Sequence, residues 1–240
     1  MANGYIHIGT GGSINGERML IMEPKHYFSR KFNCGEWNEL RLLMVYAVTS
    51  DADYESYMTT LTGQDNTASF YDKLYLGLIN GDLGDTFPGE SGQYFAGMGA
   101  RHASGMTWGG GTAVSNNSLA MSLMAVQDES WSYDTQNWDH YHSAVQLNYV
   151  YNMIKFERDT INEELTLTVP WIRYTLATAT QPDESAMETQ LDTFAAYGGT
   201  YYDETFSWPN SNPDLNAVFI YHPKTGARLR LHGFMVKKYS

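Results

Sequence analysis

The sequence predicts an all-β, mainly antiparallel protein: a two-sheet, jelly-roll-like sandwich with one short helix near residues 183–197. Three observations predict it. Between Ala144 and Leu176 the alternation of apolar and polar residues runs longer than anywhere else, with Val145, Leu147, Tyr149 and Tyr151 two apart, then Leu165, Leu167, Val169 and Trp171. A period of two places one set of side chains on a buried face, and β-branched and aromatic residues suit that pleated surface. Short apolar runs bounded by Gly, Asn, Asp and Pro recur along the chain, about nine or ten in all. Only one segment carries a convincing helical period.

Taken in order, residues 5–22 read as an N-terminal hairpin, with turns at Gly9-Thr10-Gly11-Gly12-Ser13 and Asn15-Gly16. The glycines there lack the Gly-Lys-Ser/Thr ending of a phosphate-binding loop. Trp37 to Val48 is apolar almost throughout and bounded at strand length, so it reads as a central strand. Tyr54, Tyr57, Met58 and Leu61 allow a short surface helix. Lys73 to Asn80 is another strand. Residues 81–118 are glycine-rich and loop-like, with one weak strand at Gln93 to Met98, and such a region is where a contact surface is expected. Leu119 to Val126 follows as a strand, then a polar aromatic segment, then the long hairpin, whose turn falls over Arg158 to Asn162. Pro182-Asp183 opens the helix, Met187, Leu191 and Phe194 recur at its spacing, and Gly198-Gly199 ends it. The C-terminus reads as a hairpin of Ala217 to His222 with Ala227 to Val236 about Pro223-Lys224-Thr225-Gly226. No linker or repeat interrupts the chain, so residues 1–240 are expected to form a single domain.

Composition narrows the function. Fifteen basic against 27 acidic side chains leave a net charge of −12, which repels phosphate backbones, so nucleic acid is not an expected partner. The basic cluster Lys224, Arg228, Arg230, Lys237 and Lys238 is read as offsetting acidic neighbours, or as lying along a solvated strand face, rather than as binding DNA. One cysteine, Cys34, excludes an intrachain disulfide. The chain starts without a charged, then apolar, leader and has no stretch of about 18 apolar residues, so neither a signal peptide nor membrane insertion is expected. Synthesis in a cytoplasm, with release by lysis, fits. With charged residues at 18% and 18 tyrosines, the surface is built for contact rather than for charge.

Chemistry-bearing patterns are sparse. His140 and His142 point the same way on a strand, but no third ligand with sensible spacing accompanies them, so no metal and no cofactor is expected. Asp128-Glu129, Glu157-Arg158-Asp159 and Glu163-Glu164 offer paired acids for glycoside hydrolysis, yet each set flanks a turn, where solvated charge is ordinary. A nucleophile elbow is absent. Trp131, Tyr133, Trp138 and Tyr141, with Trp108 in the glycine-rich region, are the candidate binding residues, since exposed Trp and Tyr stack on sugars or anchor interfaces.

The Met-Ala-Asn-Gly start, the acidic Asn/Thr/Gly/Tyr-rich strands, the single cysteine and loops such as Thr107-Trp108-Gly109-Gly110-Gly111 together resemble virion structural proteins of tailed bacteriophages. The strand pattern of Lys73 to Asn80 and Leu119 to Leu176 is likewise similar to concanavalin-like lectin domains. The first resemblance implies a non-enzymatic capsid or tail protein that assembles with copies of itself and with other structural proteins in a virion made in a host cytoplasm. The second implies a carbohydrate-binding sandwich with a glycan as partner. A concanavalin-like hydrolase with acids such as Glu157 and Asp159 is the third reading.

Overall fold

The computed structural model describes residues 4–7, 11–12, 19–22, 27–33, 35–47, 74–81, 91–102, 118–133, 138–141, 149–170, 177–178, 182–221 and 229–239. In chain order the strands are β1 (Gly4–His7), β2 (Gly11–Gly12), β3 (Met19–Met22), β4 (Tyr27–Lys31), β5 (Glu39–Ala47), β6 (Leu74–Ile79), β7 (Tyr94–His102) and β8 (Ser118–Gln127). They continue as β9 (Ser130–Tyr133), β10 (Trp138–Tyr141), β11 (Tyr149–Asp159), β12 (Glu164–Pro170), β13 (Ala177–Thr178), β14 (Tyr201–Ser207), β15 (Ala217–Tyr221) and β16 (Leu229–Tyr239). Helix α1 spans Glu184–Thr193. The first sheet runs β14-β12-β11-β5-β16-β3-β2, with β1 on β16 and β13 on β11; the second runs β10-β8-β7-β6-β15-β4, with β9 also on β8. Every ladder in both sheets is antiparallel. The expected sandwich is therefore the observed one.

Leu42, Met44, Ile154, Phe156 and Phe234 of the first sheet meet Leu76, Leu78, Leu123 and Val218 of the second in one buried layer. The predicted central strand is β5, flanked by β11 and β16. The long hairpin is β11 and β12, and its first strand runs to Asp159, into the expected turn. Burial follows a different phase on its two arms. Leu165, Leu167 and Val169 enter the layer between the sheets. Tyr151 and Met153 instead lie on the opposite face, against Met187 and Leu191 of α1. A strand covered on both faces buries both phases, which is why β11 outruns a simple alternation. Val145, Leu147 and Trp171 lie outside the described residues, as does the expected helix over 54–61.

Two expectations change. Ala217 to His222 and Ala227 to Val236 do not form a hairpin: β15 pairs β4 and β6 in the second sheet, whereas β16 pairs β5 and β3 in the first. Ala217 to Ile220 are all buried, and a two-stranded ribbon cannot cover both faces of such a run. Of the N-terminal hairpin over 5–22, β2 and β3 pair with each other, while β1 lies along β16. Within the glycine-rich region, the weak strand expected at 93–98 is the nine-residue β7.

The second sheet's outer face is apolar and closely built. Gly77 and Gly97 face each other across β6 and β7. A Cβ on either would come within 2.2 Å of backbone oxygen, Ala96 O or Leu76 O, and within 2.9 Å of the Phe95 ring. That ring meets Tyr75 edge-on at 6.0 Å and Phe219 at 5.8 Å. An aromatic side chain thus fills the space that the two glycines leave open.

Candidate functional site

The helix sits on the other outer face, and its docking creates the site. Asp183 caps its start by accepting from the Ala186 N–H at 2.8 Å. The helix has no basic residue in its last turn. The sheet supplies one: Arg41 of β5 donates through Nη1 to the carbonyls of Leu191 (2.7 Å) and Asp192 (3.0 Å). A cation at that end answers both the orphan carbonyls and the negative pole of the helix. Arg41 is held in turn by Glu39 at 2.7 Å and lies 4.0 Å from the centre of the Tyr239 ring. Lys237 donates to Asp192 (2.7 and 2.9 Å) and to Glu188 (2.7 Å), and the Tyr239 hydroxyl donates to Asp192 at 2.6 Å. Hydrogen bonds from Lys237 first, then from Tyr239, hold the Asp192 carboxyl below its ordinary value. Burial, reinforced by the Asp192 carboxylate, raises the Tyr239 phenol.

The cations belong to a row that crosses the sheet. Lys237, Arg41, Lys155, Thr168 and Asp203 stand opposite one another in turn on β16, β5, β11, β12 and β14. The neighbouring row is Tyr239, Glu39, Glu157, Thr166 and Thr205. The helix packs on β5 and β16. Beyond it, over β11, β12 and β14, lies a groove of about 500 Å³. Its floor is Lys155, Thr166 and Thr168, with Lys155 paired to Glu157 at 2.7 Å and the Thr166 and Thr205 hydroxyls 2.8 Å apart. Its wall is aromatic. Phe194, the C-cap of the helix at φ 42°, stacks on Tyr201 with ring centres 6.0 Å apart and planes 7° from parallel. The Tyr201 hydroxyl donates to the Phe194 carbonyl at 3.0 Å. Asp203 lines the groove as well.

The residues singled out from sequence fall elsewhere. Trp131 and Tyr133 lie on β9, Trp138 and Tyr141 on β10, and both strands pair the same side of β8 at the edge of the second sheet. Trp131 and Tyr133 stand opposite Val126 and Met124, Trp138 opposite Met121 and Tyr141 opposite Ser118. Trp108 and His142 lie outside the described residues, and His140 stands opposite Leu119. Among the described residues no three His, Cys, Asp or Glu side chains group as a metal site.

Of the paired acids, Asp128, Glu129 and Glu163 are turn residues and Asp159 and Glu164 flank the long turn at the ends of β11 and β12, whereas Glu157 lies within β11 and lines the groove. Asp128 and Glu129 form the two-residue turn between β8 and β9, both at positive φ, and Asp128 accepts the Gly92 N–H at 2.7 Å. Asp159 accepts from the Asn162 and Ile161 N–H groups and from the Asn162 amide, with the Asn162 bonds foremost in holding its carboxyl low. Glu163 accepts the Asn210 N–H at 3.1 Å. Sequence reasoning missed the groove, although the polar phase of the long hairpin, Lys155 and Glu157 with Thr166 and Thr168, was its available signal.

Fold and site define an antiparallel two-sheet β-sandwich with a helix docked on one face. No protein-family model matches the chain, and no curated protein matches it. Among solved structures it is similar to tailspike protein 2 of Escherichia coli O157:H7 bacteriophage CAB120, at TM-score 0.38 and 10% identity, over 99% of this chain and 25% of that one. The chain thus spans about a quarter of the tailspike's length. It is also similar to arcelin-5, a lectin-like defense protein from Phaseolus vulgaris, at TM-score 0.34 and 7% identity, over 99% and 93% of the two chains. A basic winged bean lectin solved with Tn-antigen gives 0.37 and 8%, over 98% and 88%. Likenesses of this size assign no family and no site. Among the described residues no helix is long and apolar enough to cross a membrane.

Proposed function

We propose that the protein is a non-enzymatic structural component of a virion, part of a capsid or tail, which assembles with copies of itself and with other structural proteins. The observation that carries this reading is the contrast between two sheet edges. The edge strand β14 carries Asp203 and Glu204 among seven residues, and charge on an edge discourages pairing with another chain. The β9 and β10 edge carries one acid, Asp139, against Trp131, Tyr133, Trp138 and Tyr141. An edge low in charge is a template for another strand, and Trp and Tyr are the usual anchors of an interface. The turn duties of Asp128, Asp159 and Glu163 support the non-enzymatic half of the reading.

Light scattering after size exclusion tests it. Wild-type protein is expected to form a defined oligomer, and Trp131→Lys with Trp138→Lys to weaken its association at least about tenfold, the scale of one lost anchor. A monomer at every concentration overturns assembly. Glycan binding that vanishes in Trp138→Ala while the mass stays monomeric would move this edge to carbohydrate recognition instead.

A further inference from the structure

We propose that the groove over β11, β12 and β14 is a binding site for an uncharged saccharide, with Tyr201 as its stacking surface and Asp203 as its hydrogen-bond acceptor. This site is separate from the aromatic edge of the second sheet and does not depend on assembly.

Size, shape and charge point to that ligand class. The groove's volume of about 500 Å³ falls within the roughly 300–1,000 Å³ of small-molecule sites. Tyr201 is 43% exposed, an unusual degree for a large apolar ring among the described residues. Its orientation is set by the parallel Phe194 ring and by its own hydroxyl bond, so a ligand stacking on it has little side-chain freedom to freeze out. A rigid flat ring beside a polar floor suits a pyranose, which has one apolar face and a rim of hydroxyls.

The charges select further. The lining holds two cations, Arg41 and Lys155, and three carboxylates, Glu157, Asp192 and Asp203, an excess of one negative charge. Both cations already face carboxylates, Arg41 with Glu39 and Lys155 with Glu157, each at 2.7 Å. An anionic ligand would have to displace one of these acids. The Asp203 carboxylate has no hydrogen bond or ion pair to any described residue, and the residue is exposed beside buried Thr168. An ionised carboxylate only accepts, so its natural partner is a pair of ligand hydroxyls. Uronic-acid, sialylated and sulfated chains carry the wrong charge for that contact.

The test is an array of neutral oligosaccharides ending in glucose, galactose, mannose or N-acetylhexosamine, beside uronic-acid, sialylated and sulfated ones. The full chain is used as wild type, Tyr201→Ala and Asp203→Asn, each with its melting temperature recorded. Titration of the best-bound sugar is then followed by amide shifts. Expected are binding to at least one neutral sugar, at least tenfold weaker binding to its acidic counterpart, and tenfold or greater loss in either variant, at unchanged melting temperature in Asp203→Asn. The amide shifts should cluster on β12 and β14. An array blank for neutral sugars, equal binding of acidic ones, undiminished binding in both variants, or shifts confined to β9 and β10 each overturn the proposal.

Discussion

The sandwich has two outer faces, and each is closed by different forces. Over the first sheet, α1 is held by directional contacts, with Arg41 on the helix carbonyls and Lys237 and Tyr239 on Asp192. Over the second, Tyr75, Phe95 and Phe219 pack edge to face above Gly77 and Gly97. A face held by a few charged pairs can stop partway across the sheet and leave polar ground open beside it. A face held by ring packing has no such freedom, because its stability lies in the continuity of contact. The groove accordingly lies on the first sheet.

The sharpest way to break this comparison is to add bulk to the closely packed face. In Gly97→Val the new Cβ meets Leu76 O at 2.2 Å and the Gly77 Cα at 2.7 Å, and neither can move without disturbing the ladder. A loss of at least about 3 kcal/mol is expected, the upper range for overpacking. The denaturant midpoint measures it. A variant as stable as wild type would show that this face yields as readily as the other.

Arg41→Ala probes the directional face. It leaves the last carbonyls of α1 without their cation and frees Glu39, for an expected loss of about 2 kcal/mol. The loss should be local. Amides of 184–193 are expected to exchange faster while those of β6 and β7 keep their protection, as a separately held unit would. Equal acceleration on both sheets would mean that the two faces are one cooperative layer.

The two faces also differ in what the sequence discloses. The apolar runs of β5, β6 and β8 and the spacing of Met187 and Leu191 follow from local periodicity, and local periodicity is written in the chain. So is the turn at Asp159 to Glu163, whose residues bond among themselves. The pairing of β15 and β16 with different sheets is not, because alternation reports which residues are buried and not which strand lies beside them. Gly77 reads as a weak point of a strand until Gly97, twenty positions on, is known to stand opposite it. The groove is legible only in fragments for the same reason. Lys155, Thr168 and Asp203 each look like solvated positions, and register alone sets them in one row. Trp131 and Trp138 attract attention as residue types, whereas Tyr201 is one tyrosine among 18 until its stacking with Phe194 is seen.

The smallest expected effect sharpens the comparison through pH. Asp192 binds its proton less readily in the folded protein than the ordinary value of 3.8, because Lys237 and Tyr239 donate to its charged form. A lowered folded value means that the stabilisation is complete above the unfolded value and is lost as pH falls through the folded one. Wild-type protein should therefore lose stability on acidification below about pH 4 more steeply than Asp192→Asn, in which no carboxylate remains to be protonated. The side chain is 46% exposed, so solvent screens the pair and the difference between the two curves should stay under about 1 kcal/mol. Thermal melts across the acid range measure it. The acid-sensitive part should appear as faster amide exchange in α1 and β16, with β6 and β7 unchanged, since the hydrogen bonds from Lys237 and Tyr239 to Asp192 hold the directional face alone. Parallel curves for the two proteins would remove Asp192 from the account of how the helix is held.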